Sequence, residues 1–471
     1  MGEWDKYIYN ESSLALYNLG LRHFPVELCE KVDLTNIRLI SNKLSDLPPE
    51  FSKFKNVIWL DISNNEFEMI PPSMCNLTSL KSLWAKNNKL KTVPFVFAKL
   101  LNLRALFLYS NDLEEIPEGV LEARELEYLD LAYNKINEIP PAIVNFRNMT
   151  ALDIHGNNLT VIPDEFCQLT NLQKLSLRKN QISYLPVDLG RCLQNLSYLD
   201  VSQNRLVELP GSICELQCLE SLFANKNELR NLPFMMGWRS LPSLRVLEVN
   251  YNNLTELSEG IFMLQHLRAL YAKHNKLKKL PAYADRKSTG LQRLVLCDNK
   301  LVSIPDIICD FVNLQELQLD RNLIETLPGG FGENFQRLQL LSLDNNKLNV
   351  LPESICQMSR LQTLFINNNA LRILPRSIGK LKRLQTLDMS CNQLTSLPAS
   401  FCALSNLVDL KMQGNKIEYL PADLFDELIR LKLLDVNCET VETDVVETIE
   451  RDVDLNHTGD EVGCGATAVA M

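Results

Sequence analysis

Leucine and other aliphatic residues recur along the chain in one fixed pattern, LxxLxLxxNxLxxLP, in which x is usually polar. The asparagine of this pattern returns every 23 to 25 residues. It stands at positions 42, 65, 88, 111, 134, 157, 180, 204, 227, 252, 275, 299, 322, 346, 369, 392 and 415. Self-similarity at a fixed period indicates stacked structural repeats rather than a series of globular domains.

Each repeat predicts a short strand, a turn and a short helical segment. In the LxL portion the two leucines point the same way, because side chains alternate across a strand, and they enter the core. The asparagine has two donors and an acceptor with which to satisfy turn backbone groups. The stretch 163–172, PDEFCQLTNL, spaces its apolar residues as a short helix does. We therefore predict an α/β solenoid, or horseshoe, with a parallel concave β-sheet and short helices or irregular turns on its convex side.

The pattern predicts three parts. Residues 1–13 form an N-terminal capping segment, 14–437 a solenoid of about 18 units, and 438–471 an acidic C-terminal cap and flexible tail. In the last part apolar residues recur every four positions among acids, which predicts an amphipathic helix. These residues are Val441, Val445, Ile449 and Val453. The stretch 282–290, AYADRKSTG, breaks the helical pattern and is either a tolerated insertion or a docking or phosphorylation loop.

Charge and cysteine content limit the classes of partner and the cellular compartments that we expect. The net charge is −10, and 437–471 alone holds nine acidic residues and one basic residue, so the remainder is nearly balanced. This disfavours nucleic acid and an anionic membrane surface as partners. No apolar run is long enough to span a bilayer and the first 25 residues lack a signal pattern, so we expect a cytoplasmic or nuclear protein. Seven cysteines follow a proline by four residues, which predicts buried, reduced thiols: Cys29, Cys75, Cys167, Cys214, Cys309, Cys356 and Cys402.

Counting back from each asparagine identifies the side chains that line the predicted concave face. The positions six, four, two and one before it carry an unusual set of aromatic and basic residues, which is typical of protein interfaces. We predict partner binding by Trp59, Trp84, Phe107, Tyr109, Tyr128, Tyr133, Lys174, Arg178, Tyr198, Phe223 and Tyr271. The alternative is that these rings only pack on one another across neighbouring strands.

Catalytic and cofactor chemistry finds little support in the sequence. Asp153 and His155 share one strand face, with Asp130 and Ser176 on the neighbouring units, as a triad or metal site would require. An open sheet provides neither an enclosed pocket nor an oxyanion hole, so we interpret these residues as an exposed polar ladder. We predict that the chain is not an enzyme and has no catalytic, metal or cofactor site.

The repeat units resemble a known class. IPDEFCQLTNLQKLSLRKNQI (162–182) and LPRSIGKLKRLQTLDMSCNQL (374–394) are similar to the 23-residue class of intracellular leucine-rich repeats. That class includes the suppressor-of-clear Ras-pathway scaffold and the repeat regions of Scribble and Erbin. The resemblance implies a protein-binding concave face and, for the Ras-pathway scaffold, assembly of a Ras-type GTPase with a phosphatase catalytic subunit.

Two functional hypotheses follow. The first is a non-enzymatic scaffold or adaptor that binds one or more proteins on its concave face, in Ras/MAP-kinase signal transduction. The second is a regulatory or substrate-recognition subunit of a phosphatase or a ubiquitin ligase.

Overall fold

A computed structural model describes residues 4–237, 240–282, 290–421, 423–436 and 454–455. The chain forms two compact units, Met1–Leu229 and Arg230–Met471. The predicted C-terminal helix, with Val441, Val445, Ile449 and Val453, lies outside the described residues, as does most of the 282–290 loop. The predicted boundaries of the caps and the solenoid therefore stay predictions.

The first unit is a ladder of very short strands. A two-residue strand, Ile8–Tyr9 (β1), pairs antiparallel with Ser13–Ala15 (β2), and every later pair in this unit is parallel and sequential. The later strands are Asn36–Arg38 (β3), Trp59–Asp61 (β4), Ser82–Trp84 (β5), Ala105–Phe107 (β6), Tyr128–Asp130 (β7), Ala151–Asp153 (β8), Lys174–Ser176 (β9), Tyr198–Asp200 (β10) and Ser221–Phe223 (β11).

The second unit repeats this arrangement with parallel, sequential pairing of its strands. Its strands are Val246–Glu248 (β12), Ala269–Tyr271 (β13), Arg293–Val295 (β14), Glu316–Gln318 (β15), Leu340–Ser342 (β16), Thr363–Phe365 (β17), Thr386–Asp388 (β18), Asp409–Lys411 (β19), Leu433–Asp435 (β20) and Asp454–Leu455 (β21).

Short helices follow the proline in most repeats. Most are 3₁₀ helices of three to five residues, because a proline and one turn leave little room for more. They are Asp5–Tyr7, Val26–Glu30, Pro49–Lys53, Met74–Asn76, Phe95–Lys99, Pro141–Asn145, Asp164–Gln168, Gly211–Glu215, Ile261–Met263, Asp306–Asp310, Glu353–Gln357, Ile378–Lys380 and Ala399–Ala403. Three are α-helical: Glu118–Leu121 (α1), Leu189–Cys192 (α2) and Leu424–Glu427 (α3). The helix predicted in 163–172 is present as the five residues of Asp164–Gln168.

The core of each unit lies between its sheet and its helices. The middle residue of each strand is paired with its equivalent in the next strand, as Leu60 is with Leu83, and both are fully buried. Phenylalanines from the helical side, such as Phe97 and Phe166, close the core from the opposite side. The predicted fold class, an α/β solenoid with a parallel sheet on one side and short helices on the other, is thus confirmed.

The repeat asparagines join consecutive repeats. Asn134 donates from Nδ2 to the carbonyl oxygens of Leu108 and Leu131, each at 3.0 Å, and accepts from the Leu113 N–H at 3.0 Å. Leu108 and Leu113 belong to the preceding repeat, so one buried amide satisfies backbone groups of two repeats. Within the described residues, no helix has both the length and the apolar character needed to cross a membrane.

Candidate protein-binding surface

Four aromatic rings form a continuous row across the exposed face of strands β4–β7. Their ring centroids lie 6.2 Å apart for Trp59 and Trp84, 4.2 Å for Trp84 and Phe107, and 4.8 Å for Phe107 and Tyr128. The parallel register places Trp84 directly beside Phe107, and all four side chains are half-buried. We call these four residues the aromatic ladder. The rings do pack on one another, as the alternative interpretation required, and each remains partly exposed.

A second aromatic group lies just after the carboxyl ends of β6, β7 and β8. The rings of Tyr109 and Tyr133 are 5.3 Å apart, and the His155 imidazole lies 4.8 Å from Tyr133 in an edge-to-face arrangement. Tyr133 is 40% exposed and has a φ of 51°, which turns its side chain out of the strand direction. The structure therefore brings Tyr109 and Tyr133 together beside the aromatic ladder.

Cations lie on these rings. The Lys86 ammonium is 4.7 Å from the ring centroids of both Trp84 and Phe107 and 3.7 Å from a carboxylate oxygen of Asp130. At the other end of the ladder, the Arg38 guanidinium lies 5.0 Å from the Trp59 ring. Lys86 and Arg38 were not among the predicted binding residues, although both occupy sheet-face positions of the repeat. They hold the ladder in one arrangement, since a cation over a ring face is attracted to the ring quadrupole.

Two aspartates bind backbone groups beside the ladder, where Asp61 is paired in register with Trp84 and Asp130 with Phe107. Asp61 accepts from the Ser63 N–H at 2.8 Å, and Asp130 accepts from the Ala132 N–H at 3.1 Å. Burial raises the pKa of both carboxyls above the usual range for aspartate, and the hydrogen bonds and Lys86 oppose the rise only in part. These carboxylates therefore have a structural role in the turn after the strand.

Of the polar residues that could form a triad, only Asp153 and His155 are in contact through their side chains. Asp153 Oδ1 lies 2.6 Å from His155 Nδ1, and Asp153 is paired in register with Asp130 on one side and Ser176 on the other. Within the described part of the chain, Ser176 makes no side-chain hydrogen bond to His155, and no group of three or more acidic, histidine or cysteine residues is arranged to hold a metal ion. The group lies on the open face of the sheet, but none of its members is fully exposed as predicted, since Asp130 is buried and Asp153, His155 and Ser176 are half-buried.

A shallow depression follows the aromatic ladder. It has a volume of about 370 Å³ and lies over the small side chain of Ala151, between Tyr128 and Tyr198. Lys174 and Arg178 stand on its rim with exposed side chains. The sequence placed both basic residues on this face, whereas the depression itself depends on the small residue between larger neighbours.

The remaining predicted residues divide between the two units. Tyr198 and Phe223 have ring centroids 5.4 Å apart in the first unit and extend the aromatic surface beyond the depression. Tyr271 belongs to the second unit, where it is half-buried and hydrogen-bonds with Arg293 of the next strand. Ten of the eleven predicted residues thus lie in the first unit, and Tyr271 does not.

Comparison with protein families gives a consistent result. The family model described as leucine rich repeat matches residues 101–159, 124–182, 170–229, 242–301 and 312–371, which together exceed half of the chain. A model of a leucine-rich repeat region matches 364–455, and a further leucine rich repeat model matches 56–77. No curated protein matches the chain.

Solved structures share the architecture. A leucine-rich repeat protein of Leptospira interrogans is 29% identical over 92% of this chain and 98% of its own, with a TM-score of 0.67. A TDR receptor is 26% identical over 87% of this chain and 73% of its own, with a TM-score of 0.73. The Arabidopsis receptor kinase HAESA, solved with the peptide hormone IDA and the co-receptor SERK1, is 25% identical over 94% of this chain and 81% of its own, with a TM-score of 0.66.

Proposed function

This chain belongs to the leucine-rich repeat family, and we propose that it is a non-enzymatic scaffold or adaptor that binds other proteins through the sheet face of its first unit. The observation that carries the proposal is the aromatic ladder. Four adjacent rings, half-exposed and held by Lys86 and Arg38, form a rigid apolar surface with a polar margin. Protein-binding sites concentrate their energy in such aromatic centres.

Preorganisation strengthens the proposal. The ladder rings are in contact with one another, so a partner need not order them on binding and loses less conformational entropy. Binding also removes from water the apolar area that the rings still expose, at about 25 cal/mol per Å². HAESA, a structure with the same fold, was solved with a peptide hormone, which supports the assignment of a polypeptide ligand.

We further propose a cytoplasmic protein in signal transduction. All eleven cysteines in the described residues are free thiols, which supports a reducing compartment. The resemblance to the Ras-pathway scaffold makes a Ras-type GTPase or a phosphatase catalytic subunit the partner to test first. A permanent 1:1 complex with a phosphatase or a ubiquitin ligase would instead favour a regulatory or substrate-recognition subunit.

The double variant Trp59→Ala/Trp84→Ala tests the proposed surface. It removes half of the ladder, and we expect at least a tenfold loss of affinity for the main partner, since each buried aromatic anchor contributes about 2 kcal/mol or more. Affinity capture of the full chain, with partners quantified by mass spectrometry, identifies that partner. Titration of the purified pair then measures the loss.

The matched control is Phe95→Ala/Tyr184→Ala, which removes two exposed aromatic side chains away from the strands, in the same unit. This control should capture the partner as the parent does, and both double variants should keep the parent's circular dichroism. Equal capture by the two double variants, with intact folds, would place the binding site elsewhere.

A further inference from the structure

Two basic residues beside the aromatic ladder have no ionic partner among the residues that the structure describes. We propose that Lys174 and Arg178, here called the basic pair, bind carboxylate side chains of an extended acidic peptide segment whose apolar residue packs on the ladder. The inference rests on the proposed function and specifies the chemistry of the partner. It predicts a linear motif in which an apolar anchor precedes or follows acidic residues at a fixed distance.

The positive charge of the basic pair favours an acidic partner. Lys174 and Arg178 are exposed, and neither has an ion pair with any residue that the structure describes. Some other sheet-face cations do have a partner: Lys86 pairs with Asp130 at 3.7 Å and Arg293 with Glu316 at 3.5 Å, while Arg38 lies over the Trp59 ring. An unpaired pair of cations on the margin of an apolar surface attracts complementary negative charge and sets the register of the partner.

The distance between the aromatic ladder and the basic pair sets the spacing of residues in the partner. Phe107 lies on β6 and the basic pair on and just after β9, three strands further along the sheet. Neighbouring strands are about 4.8 Å apart, so the two features are separated by about 14 Å. An extended peptide covers that distance in about four residues, at about 3.3 Å for each. The anchor and the acidic residues of the partner should therefore be about four positions apart.

Two aspartates near the basic pair favour carboxylates over phosphates as its ligands. The depression beside the basic pair is also lined by Asp153 and Asp200. Asp153 binds His155 at 2.6 Å, and the buried Asp200 accepts from the Ser202 N–H at 2.9 Å, so both carboxylates are fixed in place. Their negative charge opposes two charges concentrated on one phosphate more strongly than the same charge divided between two carboxylates that reach only the rim.

The ladder itself disfavours a nucleic acid. Single-stranded nucleic acids bind by stacking bases on exposed ring faces. Here Trp84, Phe107 and Tyr128 share their faces with one another at 4.2 and 4.8 Å, with interplanar angles of 35° and 34°. The surface that remains suits the side chain of an apolar residue.

The test uses labelled synthetic peptides and the purified full chain. Each peptide holds one phenylalanine and two aspartates separated by one to eight glycine or serine residues, in both orders, and binding is followed by fluorescence anisotropy. We expect the tightest binding at two to four spacer residues, because residues four positions apart have three residues between them. Lys174→Glu/Arg178→Glu should weaken that binding about tenfold or more and should favour the matching peptide with lysines in place of the aspartates.

The control variant Lys43→Glu/Arg147→Glu carries the same charge change at exposed positions that do not border the depression, and it should bind as the parent does. A loss of partner binding in Trp59→Ala/Trp84→Ala, without any effect of the basic-pair reversal or the spacer length, would retain the proposed function and overturn this inference. Absence of peptide binding at every spacing would also overturn it. Tighter binding of a phosphoserine peptide or a single-stranded oligonucleotide would overturn it in favour of that ligand.

Discussion

The residue immediately before each repeat asparagine adopts a left-handed backbone conformation across both units. Tyr133, Lys179 and Arg321, with φ between 51° and 55°, show that side chains of very different size share this conformation. Left-handed geometry costs roughly 1–2 kcal/mol for a residue with a Cβ atom, and the asparagine network that follows holds it in place. The sequence carries a partial signal for this conformation, because eight of the seventeen residues at this position are Gly, Asn, Asp or His, whereas Tyr133, Lys179 and Arg321 give none. The buried asparagine itself was predictable, since only an amide offers both donors and an acceptor there.

Asp61 is the residue for which the structure gives a clear pH dependence. Burial raises the pKa of its carboxyl in the folded chain, so folding disfavours the charged form. The resulting loss of stability is fully present above the raised pKa and disappears as the pH falls below the unfolded value. Asp61→Asn keeps an acceptor for the Ser63 N–H at 2.8 Å without the charge. We therefore expect the variant to be more stable than the parent at pH 7, by a margin that shrinks on acidification.

Urea unfolding followed by circular dichroism from pH 7 down to pH 4 measures that margin for Asp61→Asn. A difference in unfolding free energy that stayed constant or increased as the pH fell would contradict the burial of a charged Asp61.

At the scale of the elements, the strand side of the repeat is invariant and the helical side is adjustable. The Leu159 N–H binds Asn180 Oδ1 at 3.0 Å, and the Ile182 N–H binds Asn204 Oδ1 at the same distance, although the second repeat is one residue longer. The extra residue is accommodated between Pro186 and Leu193, where α2 replaces the usual 3₁₀ helix. The added residue can also be located in the sequence, because the spacing from Leu193 to Asn204 equals that from Leu169 to Asn180.

This asymmetry predicts opposite results for two single-residue insertions. An alanine inserted between Cys167 and Gln168, within the helical segment, should lower the unfolding free energy by about 1 kcal/mol or less, because a slightly longer surface loop costs little. An alanine inserted between Leu152 and Asp153, within β8, should cost several kcal/mol, because it turns every following side chain of the strand to the opposite face. Chemical denaturation of the two variants compares them. Similar losses in both would show that the helical side does not absorb added length.

The candidate surface was predictable only in part, for reasons that individual residues make clear. Counting from the asparagines placed Trp84, Phe107 and Tyr128 on the exposed face, since strand alternation alone decides that. The position of the Lys86 ammonium over two rings and its ion pair with Asp130 depend on rotamers and on the twist between strands. Tyr271 was grouped with the other aromatic residues because the column pattern carries no information about the division into two units.

For the whole molecule, stability is the sum of repeats that contact only their neighbours. Leu175 in β9 is fully buried, and Leu175→Ala should cost about 2–5 kcal/mol through the cavity that it creates. Because the loss is carried by neighbouring repeats, hydrogen exchange should accelerate in β8–β10 and decline toward the ends of the first unit. Amides of the second unit, such as those of β18, should exchange at the parental rate.

Mass spectrometry of peptides after hydrogen exchange resolves these regions in a single experiment. Leu101→Ala is the matched control, because Leu101 is 71% exposed and its removal leaves no cavity. A uniform acceleration in both units for Leu175→Ala would mean that the chain opens as one cooperative body, and parental exchange everywhere would contradict the burial of Leu175.

The buried cysteines make local opening of individual repeats chemically detectable. Burial raises the pKa of Cys29, Cys75, Cys214 and Cys309 to about 11, and of Cys297 and Cys356 to about 12. At pH 8 no more than about one in a thousand of these sulfurs is a thiolate, so alkylating reagents leave them untouched while their repeat is closed. Each modification therefore records one local opening event. The rate at which each native cysteine is alkylated therefore reports how often its own repeat opens. Comparing these rates gives the order in which the repeats open, with no engineered label.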